Sequence, residues 1–76
     1  MIEIYGKTEC SFCTSAKQLC ETYNLEHRYY SLDTDYSIEE LWNKVKFKTF
    51  PQVFVDNECI GGFSDLKYYI GSKSWR

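Results

Sequence analysis

No stretch of this sequence approaches the run of about 18 apolar residues that a membrane-spanning helix requires. Its opening, "MIEIYG", lacks the basic segment and long apolar core of a secretory leader, so neither a bilayer span nor a signal peptide is expected. One proline, one histidine and four glycines among 76 residues leave no linker and no low-complexity tract, and no segment repeats another. A large excess of charge is missing too. Nine basic against eleven acidic residues give a net charge of -2, which argues against nucleic acid or an anionic membrane as the main partner. The length allows one domain, residues 1–76, with a small core, since such a chain buries only about 60% of its unfolded surface.

What the sequence does hold is aromatic bulk: seven tyrosines, five phenylalanines and two tryptophans make up 18% of it. With 26% charged residues it reads as a soluble globular chain rather than a disordered one. It also holds four cysteines. A disulfide-stapled secreted module would need a leader and few regular elements. Without that leader, and with strong periodicity, the expected setting is reducing and cytoplasmic. There a close cysteine pair is more often catalytic or metal-binding than structural.

The pattern along the chain predicts seven elements. "IEIY" (2–5) is a strand ended by Gly6. Phe12, Ala16, Leu19, Cys20 and Tyr23 recur on one helical face from about residue 11 to 23, with Asn24 placed to stop it. "EHRYYSL" (26–32) is a second strand and "DTD" (33–35) a turn. Ser37 with Glu40 forms a capping box ahead of Ile38, Leu41, Trp42 and Val45. After the basic connection "KFKT", "QVFV" (52–55), "DN" and "ECI" (58–60) make a hairpin. Ser64 is placed to cap a last helix, "DLKYYI", stopped at Gly71, and residues 71–76 read as a frayed tail.

The order β-α-β-α-β-β-α describes an α/β chain with a four-stranded mixed sheet. A right-handed βαβ unit supplies parallel strands, the hairpin adds antiparallel ones, and helices cover both faces. That is the thioredoxin-like arrangement. It sets Cys10 at the carboxyl end of the first strand, where open α/β sheets gather their sites.

Cys10 and Cys13, in "CSFC", lie three apart in a first helical turn, with Cβ atoms about 5–6 Å apart. A disulfide wants them nearer to about 4 Å, so a small adjustment closes the bond. Free amides and the positive dipole end favour an anion at Cys10. Such positions lower a thiol's pKa from about 8.5 toward 3.5–7.5, and the thiolate is the nucleophile. Lys7 adds positive charge, and Cys13, one turn in, suits a second, resolving attack. Two small core cysteines remain an alternative reading. Zinc is the other, but a structural zinc site wants four ligands, commonly as two close pairs. Cys20, His27 and Cys59 form no second pair. Cys20 and Cys59 read most simply as small hydrophobes, and His27 as a structural or solvent-facing residue.

Three segments together resemble the glutaredoxin family. "CSFC" (10–13) matches its C-x-[YF]-C site with Lys7 upstream, and "TFPQVFV" (49–55) is similar to its T-V-P-x-[VI]-F-[VI] segment. "IGGFSDL" (60–66) resembles I-G-G-x-x-D-[LF]. The resemblance covers nearly the whole chain and implies glutathione as co-substrate. It implies that Lys7 pairs with the glycine carboxylate. It also implies a cis bond between Phe50 and Pro51, beside Thr49, which presents the Phe50 backbone to the cysteinyl unit by a one-residue strand addition. A proline that merely starts a strand is the alternative there. Ser64 and Asp65 are implied to hold the γ-glutamyl end, as helix starts hold anions, with plain capping as the other reading. Phe12 is either an aromatic wall of the site or core. Lys44, Lys46 and Lys48 read as a solvated connection rather than a positive rim.

The implied activity is that of a glutathione-dependent thiol–disulfide oxidoreductase. The resemblance implies that it reduces protein disulfides and glutathione mixed disulfides as a monomer, with ribonucleotide reductase as a client and no metal. Ser11 stands where many dithiol relatives have proline, and Phe50 replaces a usual valine. Relatives with serine at that place supply the alternative: a dimer holding a [2Fe–2S] cluster through its first cysteine and glutathione.

Overall fold

The alternation of side chains in the first strand decides how the molecule is layered. In the computed structural model, which describes residues 1–72, β1 (Ile2–Gly6) buries Ile2, Ile4 and Gly6 and leaves Glu3 and Tyr5 half-buried on the opposite face. It is followed by α1 (Ser11–Thr22), β2 (His27–Ser31), α2 (Ile38–Trp42), β3 (Gln52–Val55), β4 (Glu58–Gly61) and α3 (Phe63–Ser72). The sheet order is β2-β1-β3-β4. β1 pairs in parallel with β2, Ile4 opposite Tyr29, and antiparallel with β3, Ile4 opposite Val53. β4 closes the sheet antiparallel to β3, with a bulge between Val53 and Phe54. The expected fold is the observed one.

Each face carries its own core. Ile2, Ile4 and Val53 meet Ala16 and Cys20 of α1 and Leu66 and Ile70 of α3 on one side. On the other, Phe54 packs with Tyr36 and Leu41, fringed by Tyr5, Tyr30 and Trp42. The tyrosines hold this second layer through ring geometry: Tyr5 stacks on Tyr30 with centroids 4.9 Å apart and meets Tyr36 edge-on at 5.0 Å. Such pairs contribute about 0.5–1.5 kcal/mol beyond the area they bury. The Tyr36 hydroxyl donates to the Gly6 carbonyl at 2.8 Å, and burial pushes that phenol up to about 12. Among the described residues no helix is long and apolar enough to cross a membrane.

Helix ends follow local chemistry closely. Cys10 caps α1 at its start. At its far end Asn24 takes φ 55°, the Asn24 N–H donates to the Glu21 carbonyl at 3.1 Å, and the Leu25 N–H to the Cys20 carbonyl at 2.9 Å. That pair is a Schellman stop, which asparagine tolerates. The Ser37–Glu40 capping box is present in both directions. Asp56 and Asn57 both have positive φ, the two-residue hairpin turn whose twist matches the strands it joins.

Four expectations are corrected. The buried stripe of α1 is Cys13, Ala16 and Cys20, while Phe12 and Tyr23 face outward. The second helix has only five residues and ends before Val45. Ser64 is not the cap of α3, which begins at Phe63; instead the Asp65 carboxylate reaches back to accept from the Gly62 N–H at 3.0 Å. Nor does Gly71 stop that helix, which continues through Ser72. Residues 73–76 of the expected tail lie outside the described residues.

Candidate functional site

Where β1 stops, a short turn delivers Cys10 to the first position before α1. Cys10 has extended backbone, φ -120° and ψ 106°, and its Sγ accepts from the backbone N–H of Cys13 at 3.2 Å. Its carbonyl accepts from the Thr14 N–H and from the Thr14 hydroxyl at 3.3 Å. The two cysteines are joined as a disulfide with Cα atoms 5.2 Å apart, inside the usual span for that bond. Cys13 is completely buried and Cys10 is partly exposed. The asymmetry is one of access: of the two sulfurs, only that of Cys10 belongs to a residue with exposed surface.

Close packing under the pair fixes Cys13. A Cβ built on Gly6 would stand 3.0 Å from the Cys13 Cβ and would collide with the Tyr29 hydroxyl. Only glycine lets the strand end pass this close beneath the helix. The reading of the pair as two small core residues is therefore replaced by a disulfide between one buried and one partly exposed cysteine.

Phe12, which stands between the two cysteines in the sequence, lines a groove of about 230 Å³ together with Thr49, Phe50, Pro51, Gly62, Phe63, Ser64 and Asp65; neither cysteine is in that lining. Six of the seven residues expected to bind glutathione thus line one cavity. The seventh, Lys7, holds its ammonium 5.1 Å from the centroid of the Phe50 ring, at the same wall. The Phe50–Pro51 bond is cis. Phe50 itself precedes β3, whose pairing with β1 begins at Gln52, so its peptide groups stand outside the ladder. Phe12 is 60% exposed and stacks on Phe63 with centroids 5.8 Å apart; it is wall, not core. Gly61, at φ 124°, has the Asp65 carboxylate folded against it, where any side chain would displace that acid. The Gly62 position faces the Pro51 carbonyl at 3.3 Å from an added Cβ. The double glycine therefore brings α3 against the cis-proline loop and closes the groove.

The remaining candidates are placed as follows. Cys20 is buried, and its thiol is pushed up to about 11 by burial and then by Glu21, as suits a small hydrophobe. Cys59 is not a core residue: it is an exposed free thiol whose Sγ donates to the Gln52 Oε1 at 3.6 Å. His27 is half-buried, with Nδ1 2.8 Å from the Leu25 carbonyl, a structural contact. Lys44 lies over the Tyr5 ring at 5.6 Å from its centroid, so it is not simply a solvated charge. Among the described residues no three His, Cys, Asp or Glu side chains gather as a metal-binding group.

Gln52 was not anticipated as part of the site. It is 2% exposed, and its Nε2 donates to the carbonyls of Phe47 and Thr49 at 2.5 and 2.9 Å and to the Thr49 hydroxyl at 3.2 Å. A polar residue in an otherwise apolar strand was the available signal.

Comparison with known proteins agrees with this geometry. The glutaredoxin family model matches residues 2–60. Glutaredoxin 1 of Escherichia coli is 31% identical over 75 residues, covering 88% of each chain. The solution structure of reduced E. coli glutaredoxin superposes with a TM-score of 0.81 at 28% identity, covering 95% of this chain and 94% of that one. A buckwheat glutaredoxin–glutathione complex shares the fold with a TM-score of 0.77 at 24% identity, covering 92% and 69%. The chain spans from 42% to 63% of the length of the first curated relatives it matches. Family model, curated relatives and superposition converge with the cysteine pair and the cis-proline groove, and the chain belongs to the glutaredoxin family.

Proposed function

We propose that this chain is a glutathione-dependent thiol–disulfide oxidoreductase that reduces glutathione mixed disulfides and protein disulfides. The observation that carries the reading is a half-exposed Cys10 with a helix-start amide on its sulfur, beside a groove of tripeptide size. In the reduced protein the Cys10 thiolate attacks the cysteinyl sulfur of a mixed disulfide. A bond forms from Sγ to that sulfur, the other thiol leaves with the electron pair, and a proton from solvent restores it. A second glutathione thiolate then attacks the mixed disulfide on Cys10, releasing oxidised glutathione. With a protein disulfide, Cys13 instead attacks Cys10 and frees the client's second thiol, giving the closed pair seen here. The Cys13 N–H that donates to Cys10 is a charge-assisted donor to the thiolate, and bonds of that kind are about twice as strong as neutral ones.

Glutathione suits the groove by charge and shape. Lys7 offers a cation to one carboxylate, the Phe50 peptide offers a donor and an acceptor to the cysteinyl unit, and the first turn of α3 meets the other carboxylate. Asp65 offers a carboxylate to the γ-glutamyl ammonium. The buckwheat relative solved with glutathione adds support for this ligand. All these groups come from one chain, so the proposed reaction requires no second copy, and a monomer is the proposed form. Glutaredoxin potentials of about -200 to -230 mV lie near the glutathione poise. The reaction therefore runs either way in a reducing, cytoplasmic setting, and protein clients such as ribonucleotide reductase fit the dithiol route.

The test is direct. Purified protein given a glutathionylated peptide, reduced glutathione, glutathione reductase and NADPH should consume NADPH in proportion to enzyme. No acceleration over glutathione alone would reject the reading.

A further inference from the structure

Residues 45–49 belong to no helix or strand, yet they deliver Thr49 and Phe50 to the groove. A segment without ladder bonds is held only by what reaches it from elsewhere. Val45 packs at its near end on the Tyr36–Leu41–Phe54 core, and the polar contacts to its far end come from Gln52. Its backbone is fixed in β3 opposite Tyr5 of the central strand β1. Its buried side chain turns back to bridge the carbonyls of Phe47 and Thr49 and the Thr49 hydroxyl. Carbonyls only accept, so the amide must present its NH2 to them. The other end is then committed as well, since Oε1 faces the Cys59 thiol from β4. One side chain therefore ties the loop to two strands of the sheet, with every polar end used.

We propose that Gln52 is a positioning residue: it sets the height of the Thr49–Phe50 wall and thereby the affinity of the groove for the glutathionyl part of a substrate. The inference deepens the proposed function and rests on it. Gln52 touches no reacting atom and acts through Thr49 and Phe50 alone. Its loss affects binding and spares the sulfur chemistry, which is built at the start of α1 by Cys10, Cys13 and Thr14.

The experiment compares the wild-type chain with Gln52→Met, which keeps the length and removes every polar atom. Amide hydrogen exchange in residues 47–50 should quicken about tenfold once their tether is gone, while α1 and β1 amides keep their rates. KM for a glutathionylated peptide should rise about five- to tenfold, matching the loss of one or two net hydrogen bonds. Turnover number and the alkylation rate of reduced Cys10 should stay within about twofold, since neither depends on the wall. Should the methionine variant not fold, Gln52→Glu replaces it. Its carboxylate carries no donor for the two carbonyls, and the same loop-confined exchange and KM increase are expected. Unchanged exchange in 47–50, faster exchange throughout the sheet, or a fall in turnover at constant KM would each overturn the inference. A wild-type chain that transfers no glutathione would reject the functional reading instead, and the exchange measurement would still decide whether Gln52 holds the loop.

Discussion

The backbone N–H of Cys13 donates to the sulfur of Cys10 at 3.2 Å, so in the proposed reaction the first turn of α1 would supply both the resolving thiol and the group that steadies the attacking one. The same residue would then serve both steps, through its side chain in one and its backbone in the other. Replacing the side chain leaves the donor in place.

Cys10→Ser should therefore abolish transfer from every disulfide. Cys13→Ser should retain removal of glutathione from mixed disulfides within a few-fold of wild type, and lose reduction of protein disulfides. Assays on a glutathionylated peptide and on an intramolecular protein disulfide separate the two. Activity surviving in the Cys10 variant would end the assignment of the nucleophile.

Lys7 lies over the Phe50 ring at the groove wall and is solvent-exposed. Lys7→Gln should raise KM for glutathione mixed disulfides several-fold, on the order of the 0.5–1 kcal/mol of an exposed charge contact. The wild-type KM should also rise with ionic strength, because a Debye length of about 10 Å at 0.1 M screens such a pair. In the variant that salt dependence should flatten. KM measured from low to high salt checks both.

Gly6→Ala inserts a methyl between the Cys13 Cβ and the Tyr29 hydroxyl. Neither the strand nor the buried helix face can withdraw without repacking, so a loss of about 1–3 kcal/mol is expected. Urea unfolding of the reduced form should show the midpoint lowered at unchanged slope.

Alkaline pH should weaken the fold through two buried groups. Cys20, raised to about 11, and Tyr36, raised to about 12, are both neutral when folded, while unfolding lets them ionise at the ordinary values of 9.0 and 10.0. Both folded values are raised, so their stabilisation is complete below about pH 9 and is lost as pH climbs toward 12. Chemical denaturation of the reduced protein at pH 8, 10 and 11 should show stability falling, and Cys20→Ala should remove the earlier part of the fall. For the same reason a thiol reagent at neutral pH should leave Cys20 unmodified until the chain unfolds, while Cys59 reacts readily.

How much of this was legible in the sequence depended on the range of the interaction. Ser37 and Glu40, or Asp56 and Asn57, act on neighbours within four residues, and their cap and turn are where the pattern put them. The helical spacing put Phe12 on the buried stripe, because spacing alone cannot say which side of a stripe meets the sheet, while the family resemblance put it at the wall of the site, where the groove has it. Cys13 fills the place that Phe12 was given, since Gly6 leaves room for a small sulfur and not for a ring. Gly71 and Ser64 misled in the opposite sense: both are usual boundary residues, but Asp65 secures the helix start from one turn inside, and Gly71 does not take the positive φ of a helix stop. Gln52 could not be read at all. Its partners sit in a loop without periodicity, and only the folded chain brings that loop over the strand.

Trp42 leans on Phe50, ring centroids 5.3 Å apart and planes tilted by 51°. An indole in touch with the groove wall is a built-in optical gauge of what the groove contains. Filling the groove, or exchanging the disulfide for two thiols beside it, should alter the intrinsic emission without any added label. A Trp75→Phe chain would leave Trp42 as the sole tryptophan, and with excitation at the red edge of the indole band, where the seven tyrosines do not absorb, a titration with oxidised glutathione could be followed from the protein's own light.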